Sequence, residues 1–241
     1  MHWQDEAIIL NIRRHGEHHA IAALFARGQG RWHGMAHGAT SRGKRAWLQP
    51  GNIVEAQWRA RTAEQLGNWA LEPSAQPAAV ALGDSRALAA LQAITAALAL
   101  CPERAPYPAL FDGARLVLER LEEPGIFPAL LARFELALLA GLGYGLDLSR
   151  CALTGESEDL AWVSPKTGRA ATRAAGAPWA EKLLPLPAFL LDGNAAPPTP
   201  HEVADALRLT AHFLRQRLFE PQNRQLPTLR LKLPEMLEKA D

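Results

Sequence analysis

The sequence predicts an α+β, multidomain chain: a five-stranded barrel at the N-terminus, then an all-α helical domain carrying an irregular loop insertion. Between Glu6 and Glu72 apolar side chains recur with a period nearer two than 3.6, the mark of strands with one buried face. From Val80 onward the period is helical, and Ala and Leu, both strong helix formers, dominate. Between the two regimes, Glu72-Pro73 to Pro77 reads as a linker by composition. The expected division is therefore 1–77 and 78–241, with 151–178 as the loop-rich insertion.

Within the first part, Ile8, Leu10 and Ile12 alternate with Ile9, Asn11 and Arg13, a strand. His15-Gly16-Glu17-His18-His19 is a polar, glycine-containing hairpin turn. Ile21–Arg27 and Arg31–His37 are strand-like around Gly28-Gln29-Gly30, a second turn. Ala39–Pro50 reads as a loop, and Ile53–Thr62 with Leu66–Glu72 as a last hairpin. Five short strands in about seventy residues fit a small closed barrel, for which the OB-fold is the leading candidate.

In the second part, Leu82–Leu100, Tyr107–Leu121 and Phe127–Leu142 read as helices punctuated by Pro102, Pro106, Pro108 and Glu123-Pro124-Gly125. Cys151–Pro178 is loop-like, with Trp162-Val163 as one short strand. Trp179–Leu191 and Pro200–Phe219 are expected to be helical, the latter opened by Thr199 as cap and Pro200 in the first turn. Gly193–Pro200 is a turn-rich connector. The tail after Pro221 is polar, with weak helical promise and acids at Glu235, Glu238 and Asp241. The helix from Ala129 is apolar nearly all round and so expected to be central and buried. Arg133 and Glu135 interrupt it. Burying an unpaired charge is costly, so each must reach the surface or mark a docking place.

Composition narrows the function. The net charge is +1, but residues 18–54 carry Arg27, Arg31, Arg42, Lys44 and Arg45 and no acid. Cys101 and Cys151 give neither a disulfide framework nor a metal set, as expected of a reduced, cytoplasmic protein. Asp5 and Glu6 stand where a signal peptide would need basic and then apolar residues. The Ala-rich run 87–101 is too short to span a membrane.

The candidate chemistry is binding. Arg27, Arg31, Arg42, Lys44 and Arg45 sit among Phe25, Trp32 and Trp47, while Arg59 and Arg61 flank Trp58. Single strands are held by cations that follow the phosphates and aromatics that stack bases. Lys166 and Arg169 of the insertion are candidates to add to that basic surface. Gly38-Ala-Thr-Ser-Arg-Gly43-Lys44-Arg45 approaches a phosphate-binding loop. It fails because Arg45 replaces the magnesium-binding hydroxyl and no following helix of useful length is expected. His18 and His19 would point to opposite faces of a hairpin, so the histidine-rich turn lacks a ligand set. No catalytic constellation is visible.

Several segments, in this order and at this spacing, resemble the RecO family of DNA repair proteins. They are Asp5-Glu6-Ala7-Ile8-Ile9-Leu10, His15-Gly16-Glu17, Leu48-Gln49-Pro50-Gly51, Arg133-Phe134-Glu135-Leu136, Gly143-Tyr144-Gly145-Leu146-Asp147-Leu148, Cys151-Ala152-Leu153-Thr154-Gly155 and Val163-Ser164-Pro165-Lys166-Thr167-Gly168-Arg169. The resemblance spans roughly Met1 to Leu218. It implies a non-enzymatic, cofactor-free, nucleoid-associated protein that binds single- and double-stranded DNA and anneals strands in recombinational repair. It also implies work with RecR and single-strand-binding protein to load RecA. Members often carry four cysteines in a zinc-finger-like insertion. Here Cys151 remains, Thr154 stands at the second ligand position and no cysteine follows, so no structural zinc is expected. The resemblance further implies that the helical domain receives the acidic, apolar C-terminal tail of single-strand-binding protein. Arg133, Phe134, Leu138, Arg208 and Phe213 are the candidates for that contact. Two other classes stay open on the residues alone: an RNA-binding OB-fold chaperone and a non-catalytic protein adaptor.

Overall fold

A computed structural model describes residues 1–62, 64–192 and 196–239. Gly193–Ala195 of the expected connector and Asp241 of the tail lie outside the described residues. Two compact units divide the chain, Met1–Glu122 and Glu123–Asp241. The composition break near Pro77 marks where strand gives way to helix inside the first unit.

The first unit opens with a closed five-stranded barrel, β1 (His2–His15), β2 (His19–Ala26), β3 (Gly30–Ala36), β4 (Ile53–Arg59) and β5 (Gly67–Ala75), in the order β1-β2-β3-β5-β4. Strand β1 is long enough to serve two partners: His2–Ile8 pair with β4 and Ala7–His15 with β2. A register shift between Ile9 and Asn11 bends it from one to the other. Parallel pairing of Gly34–Ala36 with Gly67–Trp69 closes the cylinder. This is the OB-like barrel expected from the strand spacing.

Inside, large and small side chains alternate. Ala7, Ala20, Ala22, Ala36 and Ala56 leave room for Trp32, Trp58 and Trp69, and Trp3 adds a fourth, half-buried ring. Trp32 and Trp58 stand 4.6 Å apart and Trp3 and Trp69 5.4 Å apart, centroid to centroid. The indole N–H groups of Trp32, Trp58 and Trp69 are satisfied, donating to Gln29 O at 2.7 Å, His33 O at 3.0 Å and Ala22 O at 3.1 Å, whereas the buried N–H of Trp3 finds no partner among the described residues. Gly67 is part of this fit, because a Cβ there would lie 2.1 Å from Trp58 Cε2. Gly67→Ala should therefore cost about 1–3 kcal/mol by overpacking, read as a lower urea midpoint. An unchanged midpoint would show that the ring can move aside.

Three expectations for this unit are corrected. Ala39–Pro50 is not all loop: it contains a short helix, α1 (Arg42–Trp47). Glu72–Pro77 is not a linker, since β5 runs on to Ala75 with Pro73 paired to Val54, and α2 (Pro77–Ala81) follows directly. Proline is tolerated there because a strand position facing away from its partner needs no N–H. Trp32, a candidate for base stacking, is not an open platform: it is 6% exposed, packed among the barrel side chains with Arg104 over its ring. The helices α3 (Ser85–Leu98) and α4 (Pro108–Glu119) form as expected, α3 capped by the Asp84 carboxylate.

The second unit is built on α5 (Phe127–Gly141), whose Phe127, Leu131, Phe134, Leu138 and Leu139 are buried as its apolar circumference requires. Helix α7 (Pro200–Leu214) packs on it, opened by the full Thr199–Glu202 capping box. It continues through a π-helical turn, Arg215–Phe219, and the chain ends in α8 (Thr228–Glu238) against α7. The polar tail is thus a packed helix. The insertion holds more order than a loop: β6 (Leu160–Val163), β7 (Ala170–Thr172) and β8 (Leu184–Pro185) make a three-stranded antiparallel sheet, with α6 (Arg173–Gly176) beside it. Trp179–Leu191 is not a helix. Pro185 and Pro187 deny the N–H groups an α-helix needs, leaving two 3₁₀ turns, Ala177–Lys182 and Ala188–Leu190, around β8. Among the described residues no helix is long and apolar enough to cross a membrane.

Glu135 overturns the expectation that charges on α5 must reach the surface or mark a docking place. It is 1% exposed and receives Arg230 of α8 through two hydrogen bonds, 2.7 and 2.6 Å, with the Thr210 hydroxyl donating at 2.5 Å. The charge is buried because it is paired.

Candidate functional site

The barrel divides the predicted basic residues into two groups. Arg27, at the end of β2, makes a bidentate pair with Asp112 of α4, both bonds 2.8 Å. That hydrogen-bonded pairing holds the Asp112 carboxyl below its usual range and the Arg27 guanidinium still more firmly charged. Arg31 donates to Cys101 O at 2.9 Å and pairs with Glu103 at 3.2 Å. These two cations are already answered by the protein's own acids.

The other group gathers at the opposite end of the β2–β3 hairpin. Helix α1 is only six residues long, and tertiary contacts hold it. Thr40 before it donates to Glu17 O in the β1–β2 turn, Lys44 Nζ donates to His37 O at 2.9 Å, and Asn52 donates to Trp47 O at 2.7 Å. Lys44 and Arg45 fall in the last turn, where the helix dipole favours cations. None of the α1 residues is buried, so Arg42, Lys44 and Arg45 are presented to solvent. His37 in turn meets Asn68 at 2.7 Å, and Asn68 is registered against Arg59. Arg59 is exposed; Arg61, also exposed, lies in the β4–β5 loop, whose Glu64, Gln65 and Leu66 wall a cleft beside Arg31 and Trp32. Arg13 and Arg14 join this end because β1 runs on to His15, where it pairs with His19. Sequence reading missed these two. The signal was available in the strand's own alternation, which carries past the apolar run into two consecutive exposed arginines. None of Arg13, Arg14, Arg42, Lys44, Arg45 and Arg59 has an ion-pair partner among the described residues. An end of a barrel bearing such a set can neutralise successive phosphates.

In the second unit Lys166 is exposed and Arg169 pairs with Asp147 at 3.5 Å. Arg133 reaches the surface, where its guanidinium donates to Phe189 O at 2.6 Å and Asp192 O at 3.3 Å. The apolar partners expected beside it are not available, since Leu138 and Phe213 are 0% and Phe134 4% exposed. Arg208 is held by Asp205 and Glu238 at 3.1 and 2.6 Å. The predicted pocket around Arg133 is therefore core and surface turn. A groove of about 610 Å³ lies elsewhere in this unit, lined by Arg215, Phe219, Arg224, Leu226 and Leu231 among others. It opens where the π-helical turn and Asn223, in the left-handed region at φ 53°, separate α7 from α8.

Among the described residues no three His, Cys, Asp or Glu side chains converge as a metal site. Burial alone would push the Cys151 thiol up. The Thr154 hydroxyl and the backbone N–H groups of Thr172, Thr154 and Leu153 outweigh it and hold the thiol down at about 6. Cys101, without such donors, is pushed up by burial to about 12.

Comparison with known proteins agrees with this architecture. The family model described as "Recombination protein O N terminal" matches residues 1–71, and "Recombination protein O C terminal" matches residues 82–226. A protein of Methylobacterium nodulans named DNA repair protein RecO is 47% identical over 234 residues, covering 95% of both chains. One of the same name from Rhizobium etli is 49% identical over 223 residues, 92% of this chain and 87% of its own. A third, from Methylorubrum extorquens, is 42% identical over 237 residues and covers 96% of each. Barrel, helical unit and full-length identity together place the chain in the RecO family of DNA repair proteins.

Proposed function

We infer that this RecO-family protein acts without catalysis, as a mediator that binds DNA on the α1 end of the barrel and anneals complementary strands. The observation that carries the reading is the set Arg13, Arg14, Arg42, Lys44, Arg45 and Arg59, none of them buried and none with an ion-pair partner among the described residues. Cations on one rigid surface can neutralise phosphates of two strands at once. That lowers the repulsion opposing their approach, and the bases then supply the specificity by pairing. No group needs to be covalently changed.

Family membership supports the finer roles: cooperation with RecR and with single-strand-binding protein, and loading of RecA onto the strand. For the tail of single-strand-binding protein, the groove of Arg215, Arg224, Leu226 and Leu231 suits an acidic, apolar segment better than the Arg133 stripe. It offers apolar floor at Phe219 and Leu226 and a cation, Arg224, at the edge.

The test compares single-stranded DNA with RNA of matched length and sequence, and follows annealing of complementary DNA strands by fluorescence. DNA binding with accelerated annealing is expected. Binding confined to RNA, or DNA binding with no gain in annealing rate, would overturn the reading.

A further inference from the structure

Strand β3 meets β5 over Gly34–Ala36 only, so its first half, Gly30–His33, has β2 on one side and no strand on the other. The segment Cys101–Ala105, between α3 and α4, lies along that open edge. Glu103 bridges to Arg31 in parallel, and the Arg104 N–H donates to Arg31 O at 3.0 Å. The approach is so close that a Cβ on Gly30 would lie 2.0 Å from Ala105 O.

The two side chains of this segment do what the two parts of a nucleotide would do. The planar guanidinium of Arg104 lies over the Trp32 ring, 4.8 Å from its centroid, as a stacked base would. The Glu103 carboxylate takes Arg31 and His33, each at 3.2 Å, as a phosphate would. Arg104 holds this position at φ 60°, a left-handed conformation that L-residues adopt only when the surroundings impose it. Beside the segment is a cleft of about 210 Å³, walled by Trp58 and by Glu64, Gln65 and Leu66 of the β4–β5 loop. Strands two and three with the β4–β5 loop are the side on which OB-folds take oligonucleotides.

We propose that Cys101–Ala105 is an internal stand-in for one nucleotide, and that a single strand displaces it. A base replaces Arg104 on Trp32, and its phosphate replaces Glu103 on Arg31 and His33. This rests on the DNA-binding reading above and adds to it a subsite and its gate. It explains why Arg31 and Trp32, suited by type to a single strand, are engaged in the resting protein.

Affinity for an oligo(dT) of fixed length, at fixed salt, separates the possibilities. Arg104→Gly removes a cation, so electrostatics alone predicts weaker binding, whereas uncovering Trp32 predicts tighter binding, about two- to fivefold. Glycine also accepts the local φ without strain. Glu103→Gln should likewise tighten binding, beyond the charge-matched control Glu55→Gln on the exposed face of β4. If the wild-type protein binds while Arg104→Gly is weaker or unchanged and Glu103→Gln equals its control, the stand-in is refuted and the DNA-binding reading survives. A wild-type protein that does not bind the strand refutes both.

Discussion

Replacing Arg230 with alanine is expected to destabilise the protein by about 3–5 kcal/mol, the loss found when one partner of a buried ion pair is removed. Arg230 is 0% exposed, and its guanidinium gives two hydrogen bonds to Glu135, one to Leu207 O at 2.8 Å and one to Thr210 Oγ1 at 3.0 Å. Without it the Glu135 carboxylate is left in the interior of the second unit with only the Thr210 hydroxyl. Whole-domain stabilities run to about 5–15 kcal/mol, so this single change removes a large share. The pair is not the only way to fill the space. Among the described residues Arg230 Nη1 finds no hydrogen-bond partner, so the network carries an unmet donor. The double variant Glu135→Leu with Arg230→Met should therefore lose far less than either single change. Urea unfolding of the three variants checks this. A loss under about 1 kcal/mol for Arg230→Ala would mean that water reaches the pair.

That same pair shows where reading the sequence stops. Glu135 stands out on α5 as a charge in an apolar helix. Its partner lies 95 residues on, in a tail whose polar composition signals nothing about burial. The barrel strands and α3, α4, α5 and α7 were legible because burial imposes its period directly on the chain, and the Thr199–Glu202 box marks its helix locally. Helix α1 was not, because six residues including Gly43 are too few to show a period, and contacts from Glu17, His37 and Asn52 hold it. The apolar content of Trp179–Leu191 points to a helix, but Pro185 and Pro187 decide against it. The basic residues of the barrel were visible by type. Which of them stay unpaired was not, since Arg27 and Arg31 are neutralised by Asp112 and Glu103, more than seventy residues away in the chain. The Arg133 pocket failed for a related reason. Spacing along a helix shows which residues share a stripe, but the core claimed Leu138 and Phe213 completely.

The second large effect is expected on α1. Arg42, Lys44 and Arg45 stand together on an exposed helical turn at the end of the barrel where no acid answers them among the described residues. If each contacts one phosphate, each contributes about −0.7 to the slope of log K against log salt for a single strand. At about 0.1 M salt, losing all three should weaken binding on the order of a hundredfold, alike for every sequence. Stability should hardly change, because none of the three is buried. A matched replacement of Arg27 should cost less, since Asp112 already neutralises that cation. The decisive measurement is a salt titration of single-strand affinity for the wild-type protein and for the triple alanine variant of Arg42, Lys44 and Arg45. A slope shallower by about 2 in the variant is the predicted result; an unchanged slope with affinity intact would show that DNA does not lie on this end of the barrel.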